Sequence, residues 1–205
     1  MLSILDIQNT VLFSIACCSV VTCGYYNYFV DTYSHAQLAL PFQYLAPFIT
    51  TYTVVDLFFQ RSTEVIIHHL LVLGMNSFYI IHGSNITPEY SIVLLYPCYA
   101  IEMSSVLYIL RYWLPRKSVL YTINSVLFYI VFFKLRIVDY YFQMLDNSRF
   151  YEVVLISSGG NSYTVSLLVF SVIGLYLLNV YWFFFMSKLL VKTVCGTKTR
   201  EQVKI

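Results

Sequence analysis

Long apolar runs separated by short polar stretches dominate this chain, and a helix needs about 17–25 predominantly apolar residues to cross a bilayer. Six runs qualify, near residues 9–30, 43–60, 64–82, 90–112, 118–142 and 163–191. The second is the weakest, because "PFQYLAPFITTYTVVDLFF" carries two prolines and a late Asp56. "RSTE" offers Ser62 and Thr63 as caps and Glu64 in a first turn, so a helix is predicted to begin there. "DTYSHAQLAL" and "HGSNITPEY" read as connections. The longest loop, 143–162, contains "VVLI", which predicts a short interfacial or re-entrant piece. Short connections predict that sequential helices are antiparallel neighbours. The expected fold is therefore all-α: one polytopic domain over residues 1–205, with six transmembrane helices and a short basic tail at 192–205.

Composition agrees with this pattern. Apolar residues make up 59% of the chain and charged ones 11%, too few charges to cover a water-soluble domain. The mean hydropathy is +0.71. A formal charge of +2, with no basic run interleaved with aromatics, argues against a nucleic-acid partner. "MLSILDIQN" lacks the basic region of a cleaved signal and is expected to be retained. Cys17, Cys18, Cys23 and Cys98 lie in apolar runs and read as small packed residues, whereas Cys195 sits among lysines.

Charge also orients the chain. Arg61, Arg111, Arg116, Lys117, Lys188, Lys192, Lys198, Arg200 and Lys204 fall at one end of the predicted bundle, and only Arg149 falls in the opposite loops. By the positive-inside rule the basic end, with both termini, is expected in the cytosol. The sequon Asn85-Ile86-Thr87 is followed by Pro88 and is expected to go unused.

Titratable groups inside apolar runs change the picture from scaffold to candidate chemistry, since each is costly unless paired or facing a polar cavity. Asp56, His68, His69, Glu102, Lys134 and Arg136 are the notable cases. Counting along ideal helices places His68 and Asp56 about 6 Å inside the basic boundary, Glu102 and Asn124 about 9–14 Å inside it, and Arg136 about 27 Å up its span. The first four share a depth band, and Arg136 is expected in the opposite leaflet, paired with Asp139 on its own helix. Adjacent His68 and His69 point about 100° apart, so only one should face the interior squarely while the other meets a neighbouring helix. An imidazole beside a carboxylate suits general-base or acyl-acceptor work, and interhelical hydrogen bonding is the alternative. The spacing of an HExxH metal site is absent, and no metal is expected.

An ordered set of pieces resembles the TLC domain family, named for the translocating-chain-associating membrane protein, the Lag-type ceramide synthases and a neuronal ceroid lipofuscinosis protein. The pieces are Asp56 in "VVDLFF", the His pair in "EVIIHHLLVLG", Glu102 and "LR" in "AIEMSSVLYILRYWL", and Asn124, Phe128 and Arg136 in "NSVLFYIVFFKLRI". Where ceramide synthases carry paired aspartates, this chain has Glu102 followed by Met103, Ser104 and Ser105, so it resembles TLC-domain-containing proteins more than true ceramide synthases. The resemblance implies six helices around a central cavity that admits an acyl chain, and membrane lipids as partners. It also implies an endomembrane location, the endoplasmic reticulum first, with the plasma membrane as alternative.

The expectation is a protein of membrane lipid metabolism or homeostasis. In the acyltransferase-like version His68 or His69 is the base, Asp56 or Glu102 holds it, Arg61, Asn124 and Arg136 contact lipid, and acyl-CoA is a substrate with no bound cofactor. The alternatives are a non-catalytic lipid-binding regulator and a trafficking receptor of the endoplasmic reticulum.

Overall fold

The computed structural model describes residues 4–60 and 62–194, and every regular element in them is helical. In order these are α1 (Ile4–Phe29), α2 (His35–Leu57), α3 (Thr63–His82), a short 3-10 turn at Gly83–Asn85, α4 (Pro88–Ala100), α5 (Glu102–Trp113), α6 (Val119–Phe132), α7 (Ser148–Ser157) and α8 (Ser162–Val194). Two π-helical stretches, Phe133–Asp139 and Tyr141–Leu145, prolong α6. Among the described residues six helical segments are long and apolar enough to cross a membrane: Asp6–Phe29, His35–Leu57, Thr63–Asn85, Pro88–Trp113, Val119–Leu145 and Ser162–Val191. The chain is an all-α polytopic protein.

Local chemistry sets most of the boundaries. Ser62 is the N-cap of α3, as its "RSTE" stretch predicts, and Ser118 caps α6 by accepting from the Tyr121 amide at 3.0 Å. Span two departs from expectation. It begins at His35, not near residue 43, because Ser34 and Gln37 form a capping box and Leu38, Ala39 and Phe42 are fully buried. Phe42 stacks on Tyr99 at 5.6 Å, which holds the helix together across Pro41 and Pro47. Burial of the first turns outweighs the missing amide donors.

Span four is also broken inside. Pro97 cannot donate to the preceding turn, and four residues later the chain turns at Ile101, separating α4 from α5. Glu102, Ser104 and Ser105 thereby come to lie in the first turn of a half-helix within the bundle. In the 143–162 loop the expected short piece is α7, whose Phe150, Val153 and Val154 are buried. Gly159 and Gly160, at φ 58° and 82°, make the left-handed turn from α7 into α8.

The packing order is not simply sequential. α1 packs on α2 and α5, α2 on α3 and α4, α3 on α8, and α5 on α6. A Cβ at Gly74 would collide with the Ser171 hydroxyl, and one at Gly174 would come within 2.7 Å of Leu71, so α3 and α8 approach closely through these two glycines. Half of the span-four window is buried, 50% against 22–28% for the other five, which makes it the central helix. Between α3 and α4, far from the basic end, lies a void of about 20 Å³ lined by Met75, Asn76, Tyr79, Cys98, Met144 and Leu168. That volume suits about one water molecule.

Candidate intramembrane site

Two polar clusters occupy the interior. The first joins the last turn of α2 to the second turn of α3. His69 Nε2 stands 2.6 Å from Asp56 Oδ2, with Asp56 3% and His69 8% exposed. Gln8 of α1 donates to Asp56 Oδ1 at 2.8 Å, and Gln60, one turn beyond Asp56, donates to Oδ2. Both carboxylate oxygens are thus occupied by donors, and the carboxylate fixes Nε2 as the protonated ring nitrogen. Among the described residues His69 Nδ1 is left buried with no hydrogen-bond partner.

His68 behaves as the sequence geometry predicts for the second ring. It turns toward α8, its centroid 5.4 Å from that of Trp182 and 5.6 Å from that of His69. Its Nδ1 is likewise buried and without a partner among the described residues. The two histidines therefore divide: one is held by a carboxylate, the other packs on an aromatic face.

The second cluster surrounds Arg136, which is 5% exposed. Its Nε donates to Ser104 Oγ at 2.6 Å, Nη2 to Ser105 Oγ at 2.9 Å and Nη1 to Asn179 Oδ1 at 3.4 Å. Glu102 Oε1 lies 3.8 Å from Nη2, and the Phe132 ring lies under the guanidinium at 5.4 Å.

This overturns the expectation that depth keeps Arg136 apart from Glu102. Along the backbone, Glu102 stands about 16 Å and Arg136 about 26 Å from the basic end. Side chains lean toward the N-terminus of their own helix. The span of Arg136 starts at the basic end and that of Glu102 at the opposite end, so the two lean toward each other and the long arginine closes the gap. The expected Arg136–Asp139 pair is corrected as well. Lys134 takes Asp139 instead, at 2.7 and 2.8 Å. The π-helical register hydrogen-bonds residues five apart and so aligns this i, i+5 pair.

Asn124 does not join either cluster. It donates to the Leu107 carbonyl at 2.8 Å and ties α6 to α5. Arg111 is engaged by Tyr121, at 2.9 Å from Nε to the hydroxyl. Arg61, Cys195 and the tail beyond residue 194 lie outside the described residues. Among the described residues no three His, Cys, Asp or Glu side chains converge in the manner of metal ligands.

Sequence reasoning missed Gln8, Gln60 and Asn179 as participants. Asn179 carried a signal, being a lone amide in the apolar run "GLYLLNVYW"; Gln8 and Gln60 sit near span ends, where a polar residue is unremarkable. No model of a known family, no curated protein and no solved structure matches the chain.

Proposed function

We propose that this chain is a TLC-like protein of membrane lipid metabolism in which the Asp56–His69 dyad acts as a general base on a lipid substrate. The observation that carries the reading is the buried 2.6 Å contact with Asp56, which leaves His69 Nδ1 buried and without a hydrogen-bond partner among the described residues. An imidazole of this kind takes the proton from an attacking hydroxyl or amine as that group adds to an acyl thioester carbonyl. The same nitrogen returns the proton to the departing thiolate, so the ring ends as it began. Asp56 keeps the tautomer and steadies the imidazolium between the two steps.

We place the basic end in the cytosol. The dyad then sits about 9 Å inside the cytosolic end of α3, within reach of a lipid headgroup and of the thioester of an acyl-CoA. An endomembrane location fits that donor. A second reading, a lipid-binding regulator without turnover, is favoured by the burial of the Nδ1 atoms of both histidines, which keeps an acyl donor from the rings.

Untargeted lipidomics of cells expressing wild type, His69→Ala or His68→Ala at matched abundance tests the assignment. The expected result is a changed lipid profile for His69→Ala and a smaller change for His68→Ala. A His69→Ala profile equal to wild type would remove the catalytic reading and leave the regulator.

A further inference from the structure

Arg136 presents five N–H donors, and among the described residues those that make hydrogen bonds reach only neutral partners: the hydroxyls of Ser104 and Ser105 and the amide oxygen of Asn179. The nearest carboxylate, Glu102, stops at 3.8 Å, beyond hydrogen-bond distance. A buried cation is costly unless it is both paired and hydrogen-bonded, so this guanidinium is held in place with its charge incompletely met. Three elements hold it: the first turn of α5, the π-helical stretch 133–139 and α8. A side chain fixed this firmly with donors to spare is prepared for an anion.

The surroundings say which kind. Glu102 is the more open of the pair, its side chain 19% exposed against 6% for Arg136, so the approach to the guanidinium runs past it. The broken span starts α5 at Glu102, and a half-helix N-terminus inside a bilayer favours negative charge. Met103 and Phe133, next in sequence to the cluster on two different elements, are 44% and 43% exposed and apolar. An anion entering here would carry a hydrocarbon tail.

We infer that Arg136 and the first turn of α5 bind the anionic headgroup of a single-chain lipid, a carboxylate or phosphate oxyanion on one acyl chain, and that Glu102 fills the place when the lipid is absent. The inference rests on the lipid reading above and adds to it the class of ligand. It makes an unusual demand on Glu102. If the carboxylate competes with the ligand, neutralising it strengthens binding, whereas a purely structural Glu102–Arg136 pair gives no such gain.

The test is saturation binding of labelled oleate to the full chain in neutral detergent, with unlabelled oleate, oleoyl lysophosphatidate and oleyl alcohol as competitors. Wild type is expected to bind oleate saturably, and both anions, but not the alcohol, to displace it; the tighter anion identifies the headgroup. Glu102→Gln is expected to bind at least about tenfold tighter, about 1.4 kcal/mol. Arg136→Gln is expected to lose saturable binding while eluting as a single folded species, and Lys134→Ala, on the outward face, to bind as wild type does. Displacement by oleyl alcohol equal to that by oleate, or no gain in Glu102→Gln, overturns the inference even if Arg136→Gln does not fold. Anion binding alongside an unchanged His69→Ala lipid profile would sink the general-base reading alone; a changed profile without anion selectivity would sink this inference alone.

Discussion

Lys134 and Arg136 stand two residues apart in one π-helical stretch and meet opposite surroundings. The Lys134 side chain is 65% exposed and makes two hydrogen bonds to Asp139 at 2.7 and 2.8 Å. Arg136 is turned inward, 5% exposed, and held by hydroxyls and an amide while its carboxylate waits at 3.8 Å. On the outward face no protein dipole can share a charge, so the ion pair closes on itself. Inside, dipoles from α5 and α8 share the cost, and a cation can remain only partly neutralised. Such incompletely paired groups are where intramembrane chemistry and binding concentrate.

The strongest way to break this contrast is Arg136→Leu. It leaves Ser104, Ser105 and Asn179 facing each other without the donor that organises them, and Glu102 without its counter-charge. Removing one partner of a buried charged network costs about 3–5 kcal/mol. Unfolding in mixed micelles, followed by circular dichroism, should show a loss of that size. A loss below about 1 kcal/mol, the worth of an ordinary intramembrane hydrogen bond, would mean that the interior cluster carries no stored charge.

The outward pair should behave differently. Lys134→Ala and Asp139→Ala, singly and together, are expected to give a coupling energy of about 0.6 kcal/mol, the average for polar contacts between membrane helices. The double-mutant cycle in the same micelles measures it. A coupling as large as the Arg136 effect would erase the distinction between the two faces.

The contrast also shows what the sequence could tell. The six spans and the cap at Ser62 were legible because apolar run length and capping are local properties. The divergence of the two histidines was legible for the same reason, since a turn of about 100° per residue is fixed by helix geometry. The early start of α2 was written in Ser34 and Gln37 but masked by Pro41. The partners of Arg136 were not legible. Counting rise per residue locates backbone atoms, whereas the contact is decided by side chains leaning from antiparallel helices. The Lys134–Asp139 pair was hidden in a helical register that the pattern of apolar residues does not announce.

Asn124 offers the finest test, because it joins α6 to α5, the helices that carry the Arg136 cluster, and yet belongs to neither cluster. Its amide donates to the Leu107 carbonyl at 2.8 Å, a single neutral contact between α6 and α5 with Asn124 8% exposed. That carbonyl already belongs to a helix and keeps its helical partner if the amide is removed. Asn124→Leu is therefore expected to cost less than about 0.6 kcal/mol, and packing of the added methyl groups offsets part of the loss. The lipid profile of cells expressing it should match wild type. A changed profile with unaltered unfolding would place Asn124 in contact with substrate and require the interior site to extend from Glu102 toward α6, a geometry the closed Asn124–Leu107 contact does not provide.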